Sequence, residues 1–212
     1  MDRGAQPAPA RNWHFLLVVA GLILVADQAT KYRAVADLTQ VFAAVNARSA
    51  GEKLRAFVGE KDLLERGLAT PPVHVFANWW QLRYTQNRGA AWGFLSGAGA
   101  WFRVPFFHLV TILAIIFIIA YYRKLEANQR WLRLALALLL GGALGNGFDR
   151  VLRGYVIDFI DWHWFDQAWL QPGHHWPTFN VADCGVSVGL ALLFLEMVFA
   201  KKEEPAPPAR AR

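Results

Sequence analysis

Two aspartates in the last third of the sequence could act together as acid and base. Asp158 lies in the segment YVIDFI, and Asp183 lies in FNVAD, at the start of a long apolar run. Two carboxylates about 3 Å apart in a partly dry site cannot both ionise, so they share one proton near neutral pH and titrate as a unit. The ionised member can draw a proton from a water molecule while the protonated member polarises a carbonyl oxygen. Such a pair could hydrolyse a peptide bond.

The elements that would position these side chains are four long apolar segments. Hydrophobic residues make up 55% of the 212 residues and charged residues only 18%, an unusual balance for a soluble protein. A hydrocarbon core about 30 Å thick needs roughly 20 apolar residues of helix. The sequence predicts spans at residues 13–31, 101–122, 131–148 and 181–200. We therefore predict an all-α membrane protein with a four-transmembrane-helix bundle.

The first span could instead be a secretory signal peptide, because Arg3 and Arg11 precede a short apolar stretch. However, no small-x-small cleavage site follows, and ADQATKY continues the helix with polar residues that a discarded peptide would not need. We interpret this span as the first helix of the bundle.

Basic residues next to the spans predict the orientation of the chain in the membrane. They occur before the first span, between the second and third spans, and after the fourth span, at Arg3, Arg11, Arg123, Lys124, Arg130, Arg133, Lys201, Lys202, Arg210 and Arg212. Both termini should therefore be cytoplasmic, with residues 34–100 and 149–180 outside. This topology explains the net charge of +6 without a nucleic-acid partner.

The outer segments predict a small extracytoplasmic β-sheet and an amphipathic helical segment. From Leu38 to Leu68 the apolar spacing suits short helices, which could either lie on the membrane surface or pack as a cap on the bundle. The stretch VHVFANWWQLRYTQN predicts two strands that turn at Ala77-Asn78. Residues 13–200 should form one domain, while the tails 1–12 and 201–212 have the composition of disordered segments.

Several polar residues near the span ends also have simple structural explanations. Asp27 and Lys31 are four residues apart and could form a helix-surface ion pair, with Lys31 reaching to the interface. Asp149 could form a similar pair at the lip of the third span. Asn180 is placed to cap the fourth helix. The negative charge of Asp183 would be stabilised by the positive end of the helix dipole.

Cysteine and histidine carry no predicted chemistry here. The single cysteine, Cys184, excludes an intrachain disulfide and is interpreted as a small packing residue. The spacing of His163, His174 and His175 matches no closed ligand set, so we interpret them as loop histidines without a role. We predict no metal and no organic cofactor.

Two other functional classes use carboxylates near membrane helices. In a transporter or channel they would relay protons or bind a cation, and in an assembly subunit they would form structural ion pairs. The sequence disfavours a transport path, because the predicted carboxylates cluster at one face and none lies in the middle of a span.

Five motifs resemble the lipoprotein signal peptidases (signal peptidase II) of bacteria. They are DQATKY, NRGAAWGF, GGALGNGFDR, YVIDFI and FNVAD, in that order around the four spans. The resemblance extends from Asp27 to the fourth span. It implies an aspartyl endopeptidase of the bacterial inner membrane, with its site at the extracytoplasmic face. We expect the protein to be a monomer. Its partners would be membrane lipid and diacylglyceryl-modified prolipoproteins, which it would cut before the lipidated cysteine.

The resemblance also implies roles for individual residues. Asp158 and Asp183 match the catalytic pair. The other motif positions, which would support the site and contact substrate, are Asp27, Lys31, Asn87, Gly89, Ala91, Gly142, Asn146, Arg150, Asn180 and Ala182. Trp92 stands where the family usually has Phe, and the outer segment 38–70 is longer than usual.

Overall fold

The computed structural model describes residues 13–76, 79–89, 95, 97–126, 128–164 and 174–199. The predicted tails and the Ala77-Asn78 turn lie outside the described residues. The helices are α1 (Trp13–Leu38), α2 (Val41–Ala44), α3 (Ala50–Gly59), α4 (Ala100–Tyr122), α5 (Arg130–Arg153) and α6 (Val181–Phe199). The strands are β1 (Val73–Phe76), β2 (Trp80–Asn87), β3 (Val156–Trp164) and β4 (His174–His175).

Four helices, α1, α4, α5 and α6, are long and apolar enough to cross a membrane, which confirms the predicted spans. Two of them extend further than predicted: α1 continues past Lys31 to Leu38, and α5 continues past Phe148 to Arg153. Residues 149–153 are therefore helical and do not begin an outer loop. The prediction ended α5 early because it stopped at the first charged pair, whereas Asp149 and Arg153 pair with each other along the helix.

Helix α5 is the central helix of the bundle. In its most apolar stretch 44% of the residues are buried, compared with 17% or less in the other three long helices. Leu136 of α5 packs with Leu16 and Ala20 of α1 and Ile118 of α4 in one apolar cluster. The other three helices expose rows of large apolar side chains, as expected for surfaces that face lipid.

Glycines on α5 allow its neighbours to approach closely, as the spacing of Gly141 and Gly145 predicts. A Cβ on Gly141 would lie 2.7 Å from Cβ of Ile23 on α1. A Cβ on Gly142 would lie 2.5 Å from the carbonyl oxygen of Ala182 on α6. Helix α5 is thus fixed between α1 and α6, the helix that carries Asp183.

The strands form one sheet in the order β1-β2-β3-β4, and every neighbouring pair is antiparallel. Strands β1 and β2 confirm the predicted hairpin. Strands β3 and β4 were not predicted, since the sequence analysis treated 149–180 as a connecting segment. Thr85 lies opposite Asp158 and Asn87 lies opposite Val156, so the end of β2 runs beside the start of β3.

The segment between α1 and β1 is a cap that packs on the bundle. Ser49 and Glu52 form a capping box that starts α3. Phe57 of α3 is buried, meets the ring of Tyr32 edge-on, and lies 4.3 Å below the Arg153 guanidinium carbon. Of the two arrangements considered for the amphipathic segment, the structure thus shows the cap packed on the bundle.

Candidate active site

The side chains of Asp158 and Asp183 meet around one residue, Asn180. The side-chain nitrogen of Asn180 donates to Asp158 Oδ1 at 2.6 Å, and its backbone nitrogen donates to Asp183 Oδ2 at 3.1 Å. Asn180 is fully buried and Asp158 is 1% exposed, whereas Asp183 is partly exposed. The two aspartates predicted from the sequence therefore form one site, in which Asp158 is shielded from solvent and Asp183 is more accessible.

A tight turn after α5 places Asp158. Gly154 ends the helix with φ of 78°, a left-handed conformation that glycine adopts without strain. The Asp149 carboxylate then accepts a bond of 3.0 Å from the backbone nitrogen of Ile157 in β3. The residue before Asp158 is thus tied directly to the last turns of α5.

A reciprocal cap places Asp183. Asn180 Oδ1 accepts from the backbone nitrogen of Asp183 at 3.0 Å, while Asp183 Oδ2 accepts from the backbone of Asn180. This confirms the predicted cap and fixes the side chain of Asp183 at the start of α6.

Asn146 of α5 links the aspartates to the rest of the bundle. Its Nδ2 donates to Asp183 Oδ1 at 2.8 Å, and its Oδ1 accepts from Asn180 and from Lys31, each at 3.1 Å. Because every polar atom of this side chain has a partner, its orientation is determined.

Behind these amides lies a buried ion-pair network. Lys31 Nζ lies 2.8 Å from Asp27 Oδ2 and 2.9 Å from Asp149 Oδ2, and Arg153 donates to Asp149 Oδ1 at 2.8 Å. Asp27, Lys31 and Asp149 are fully buried. The expected ion pair of Asp27 and Lys31 exists, but the interpretation as a surface pair with Lys31 at the interface was wrong.

Several members of this network were not predicted from the sequence. Asp149, Arg153 and Gln28 were not predicted as site residues, although Gln28 Nε2 lies 3.2 Å from Asp149 Oδ1. Asp149 was correctly expected to form an ion pair, but its partners are Lys31 and Arg153. The spacing of Asp149 and Arg153 would have indicated the pair if α5 had been extended by two turns.

Most of the remaining predicted residues that the structure describes contact the aspartates or their partners. Asn87 Nδ2 donates to Asp158 Oδ2 at 3.0 Å, and Asn87 Oδ1 accepts from the backbone of Gly89 at 3.0 Å. Arg150 donates to the carbonyl oxygen of Gly89 at 3.2 Å and stacks on the Phe107 ring. Ala182 donates its backbone nitrogen to Asp27, whereas Ala91 and Trp92 lie outside the described residues.

Burial changes the acidity of Asp158. Burial and, to a smaller extent, the nearby charge of Asp183 together raise the pKa of this carboxyl to about 8, against the opposing bonds from Asn87 and Asn180. At pH 7 the Asp158 carboxyl is therefore largely protonated. An acid of this kind beside a more exposed carboxylate can donate to a carbonyl oxygen.

Comparison with known proteins identifies the family of this chain. A family model for signal peptidase (SPase) II matches residues 19–199. The chain belongs to the signal peptidase II family. As a member, it is a multi-pass membrane protein and an aspartic peptidase, which confirms the resemblance and the enzyme class predicted from the motifs.

Relatives match over nearly the whole signal peptidase II chain. The lipoprotein signal peptidase of Anaeromyxobacter sp. (strain Fw109-5) is 44% identical over 198 residues, which cover 93% of this chain and 91% of the relative. That of Geobacter metallireducens (strain ATCC 53774 / DSM 7210 / GS-15) is 43% identical over 188 residues, covering 88% and 92%. A bacterial membrane enzyme solved at 2.3 Å resolution superposes with a TM-score of 0.59 at 28% identity, covering 91% of this chain and 94% of that one.

Two secondary predictions need correction in this member of the signal peptidase II family. Cys184 is exposed on the surface of α6, so it does not pack inside the protein. His163, His174 and His175 lie in β3 and β4 and are not loop residues. Strand pairing places His163 directly opposite His175.

Proposed function

We propose that the chain removes the signal peptide from diacylglyceryl-modified prolipoproteins by cutting before the lipidated cysteine, with water activated between Asp158 and Asp183. The observation that carries this proposal is the pair of bonds from Asn180 to both carboxylates. One buried and one accessible carboxyl, held by the same residue, are what general acid and general base require.

The reaction uses one proton on the pair. Ionised Asp183 takes a proton from the attacking water, while protonated Asp158 donates to the carbonyl oxygen of the bond that precedes the modified cysteine. The tetrahedral intermediate then collapses as its C–N bond breaks. The proton held by Asp183 passes to the leaving amine, and one hydroxyl proton of the intermediate returns to Asp158. This scheme needs no metal or organic cofactor.

A cleft on the side of the bundle supports lateral entry of a lipidated substrate. It has a volume of about 310 Å³, is almost wholly apolar, and lies between α1, α4 and α5. Leu24, Ile112 and Leu144 line it, and Arg150 borders it. Acyl chains could occupy this cleft while the peptide extends toward the sheet, where the Arg150 guanidinium can hold a substrate carbonyl. The other predicted motif residues keep the aspartates in place.

The charge pattern supports a topology with both termini in the cytoplasm. In that orientation the sheet and the α2–α3 cap lie at the extracytoplasmic face of the bacterial inner membrane, with the aspartates just below them. The protein would act as a monomer with one peptidase domain over residues 13–200.

Cleavage by purified protein tests the substrate assignment. In the presence of EDTA, we expect a diacylglyceryl-modified lipobox peptide to be cut once, immediately before the modified cysteine, as identified by mass spectrometry. The same peptide without the lipid is the control and should be cut much more slowly. Equal cleavage of both peptides, or loss of cleavage in EDTA, would contradict the proposal.

A further inference from the structure

Three metal-binding side chains meet on the sheet, away from the two catalytic aspartates. Asp161 and His163 are two residues apart in β3, so they project from the same face, whereas Asp158 and Asp161 are on opposite faces. His175 of β4 is the direct cross-strand neighbour of His163. The ligand atoms of these three residues all lie within 4.8 Å of one another.

We propose that Asp161, His163 and His175 form a binding site for a divalent transition-metal ion such as Zn²⁺. Two imidazoles and one carboxylate are a common donor set for zinc, with metal–ligand distances of about 2.0–2.2 Å. Tetrahedral ligands at these distances are about 3.3 Å apart, so closing the site requires shifts on the order of 1 Å. His175 can supply such a shift, because its side chain is one-third exposed.

A hydrogen bond between His175 and Asp161 joins two of the three proposed ligands, and its proton lies where a metal ion would bind. His175 Nδ1 lies 2.8 Å from Asp161 Oδ1, so the two atoms hold one proton between them. A cation that replaced this proton would keep both contacts and would bind more tightly as the pH rises, since the imidazole must be neutral to bind.

An unused ligand atom on His163 is the independent observation for this site. The His163 ring is 2% exposed, and within the part of the chain that the structure describes, its Nδ1 atom has no hydrogen-bond partner. A buried polar atom without a partner is costly, so its presence calls for an explanation such as an ion. The ring stacks on that of His175, with centroids 5.3 Å apart.

The second oxygen of Asp161 is already held by neighbours. Gln81 Nε2 donates to Asp161 Oδ2 at 2.6 Å, and Arg83 Nε lies 3.2 Å from the same atom. Such contacts fix the orientation of a ligating carboxylate. Arg83 opposes a cation, because its Nε atom is buried beside Asp161, although the side chain as a whole is 43% exposed and can turn outward.

The metal would be structural, and its site does not depend on the proposed peptidase activity. It would join β3 to β4, and β4 precedes the segment that brings Asn180 to the aspartates. Hydrolysis would still proceed at Asp158 and Asp183 without the metal.

Metal binding to untagged full-length protein tests the site. After treatment with EDTA and its removal, we expect one equivalent of Zn²⁺ to bind and raise the melting temperature, and Co²⁺ to give the visible absorption of a tetrahedral complex. His163→Phe keeps the ring volume and should weaken binding at least about tenfold. His14→Gln removes an exposed imidazole elsewhere and should bind normally.

Two results would overturn the proposal. One is no Zn²⁺ binding by the wild type, and the other is equal binding by the wild type and His163→Phe. If His163→Phe does not fold, His175→Ala decides the question in the same way, because His175 is partly exposed. Cleavage of the lipidated peptide in EDTA tests the peptidase separately, so either proposal can fail without the other.

Discussion

At the scale of residues, the two aspartates differ in their surroundings in a way that suits different roles. Asp158 is buried between the amides of Asn87 and Asn180, whereas Asp183 is partly exposed at the start of α6. The raised pKa of Asp158 favours its protonated form at neutral pH. In the proposed mechanism, Asp158 is therefore the acid and the more exposed Asp183 is the base.

The pH dependence of cleavage follows from this assignment. The pKa of Asp158 is raised to about 8, so the pair keeps its proton below that pH and loses it above. Above this pKa, on the basic limb of the pH profile, we expect kcat/KM to fall about tenfold for each pH unit. The measurement is cleavage of the lipidated peptide from pH 5 to about 10, with melting temperature recorded at each pH as the control. A rate that stays level up to pH 10 in a folded protein would contradict the assignment.

The sequence was sufficient to predict that Asp158 and Asp183 form a pair but not to predict the network behind it. Asp158 and Asp183 stand out because carboxylates beside apolar spans are rare and costly. The partners of Lys31 are harder to predict, because its contacts with Asp149 and Asn146 join residues that are far apart in the chain. Such contacts depend on how helices pack, which no local pattern specifies.

At the scale of elements, α5 organises the site through one face. Gly142, Asn146, Asp149 and Arg153 follow each other at intervals of three or four residues, so they share one side of the helix. Gly142 lets α6 pack closely against α5, and Asn146 donates a hydrogen bond to Asp183. Asp149 accepts a hydrogen bond from the backbone of β3. Asp183 and Asp158 thus depend on the same helix face for their positions.

Gly142→Ala should disturb this packing. The added Cβ would lie 2.5 Å from the carbonyl oxygen of Ala182, and backbone cannot move aside as a flexible side chain can. We expect a loss of about 1–3 kcal/mol in stability and reduced cleavage, because α6 must shift with Asp183. Melting temperature and cleavage rate are the measurements. Gly21→Ala is the matched control, since a Cβ at Gly21 meets nothing within 4 Å, and equal behaviour of the two variants would show that the contact is unimportant.

The elements differ in how well the sequence predicts them. The four long helices follow from apolar length alone, and the β1–β2 hairpin follows from its alternating pattern. Strand β4 was missed because it has only two residues and exists through its pairing with β3. Strand β3 was missed because residues 149–180 were interpreted as a connecting segment. The length of α5 was also missed, since its last turns are stabilised by buried ion pairs that a hydropathy pattern treats as a boundary.

At the scale of the whole molecule, charge and apolar surface are arranged as a membrane protein requires. The long helices expose apolar side chains, while the sheet and the cap gather at one end of the bundle. The basic residues 123, 124, 130 and 133 lie at or beside the α4–α5 connection, at the opposite end. This separation predicts which end faces the cytoplasm.

Labelling of single cysteines checks the predicted orientation. In a Cys184→Ala background, Arg55→Cys places a thiol on α3, and Asn128→Cys places one between α4 and α5. The cells are treated so that a membrane-impermeant maleimide reaches the outer face of an intact inner membrane. Under these conditions we expect Arg55→Cys to react. Asn128→Cys should react only after the membrane is permeabilised. The reverse pattern would place the aspartates on the cytoplasmic side and refute the topology.

The central claim is that Asp158 and Asp183 act as one catalytic unit, and cleavage by single and double variants tests it most directly. Asp158→Asn and Asp183→Asn should each fold normally and lower kcat/KM for the lipidated peptide by about 100- to 10,000-fold. The effects of substituting residues that act as one unit are not additive. The double variant should therefore be no slower than the less active of the two single variants. Asp37→Asn, on the exposed side of α1, is the control. Near-normal cleavage by either single variant, or losses that multiply in the double variant, would contradict the account.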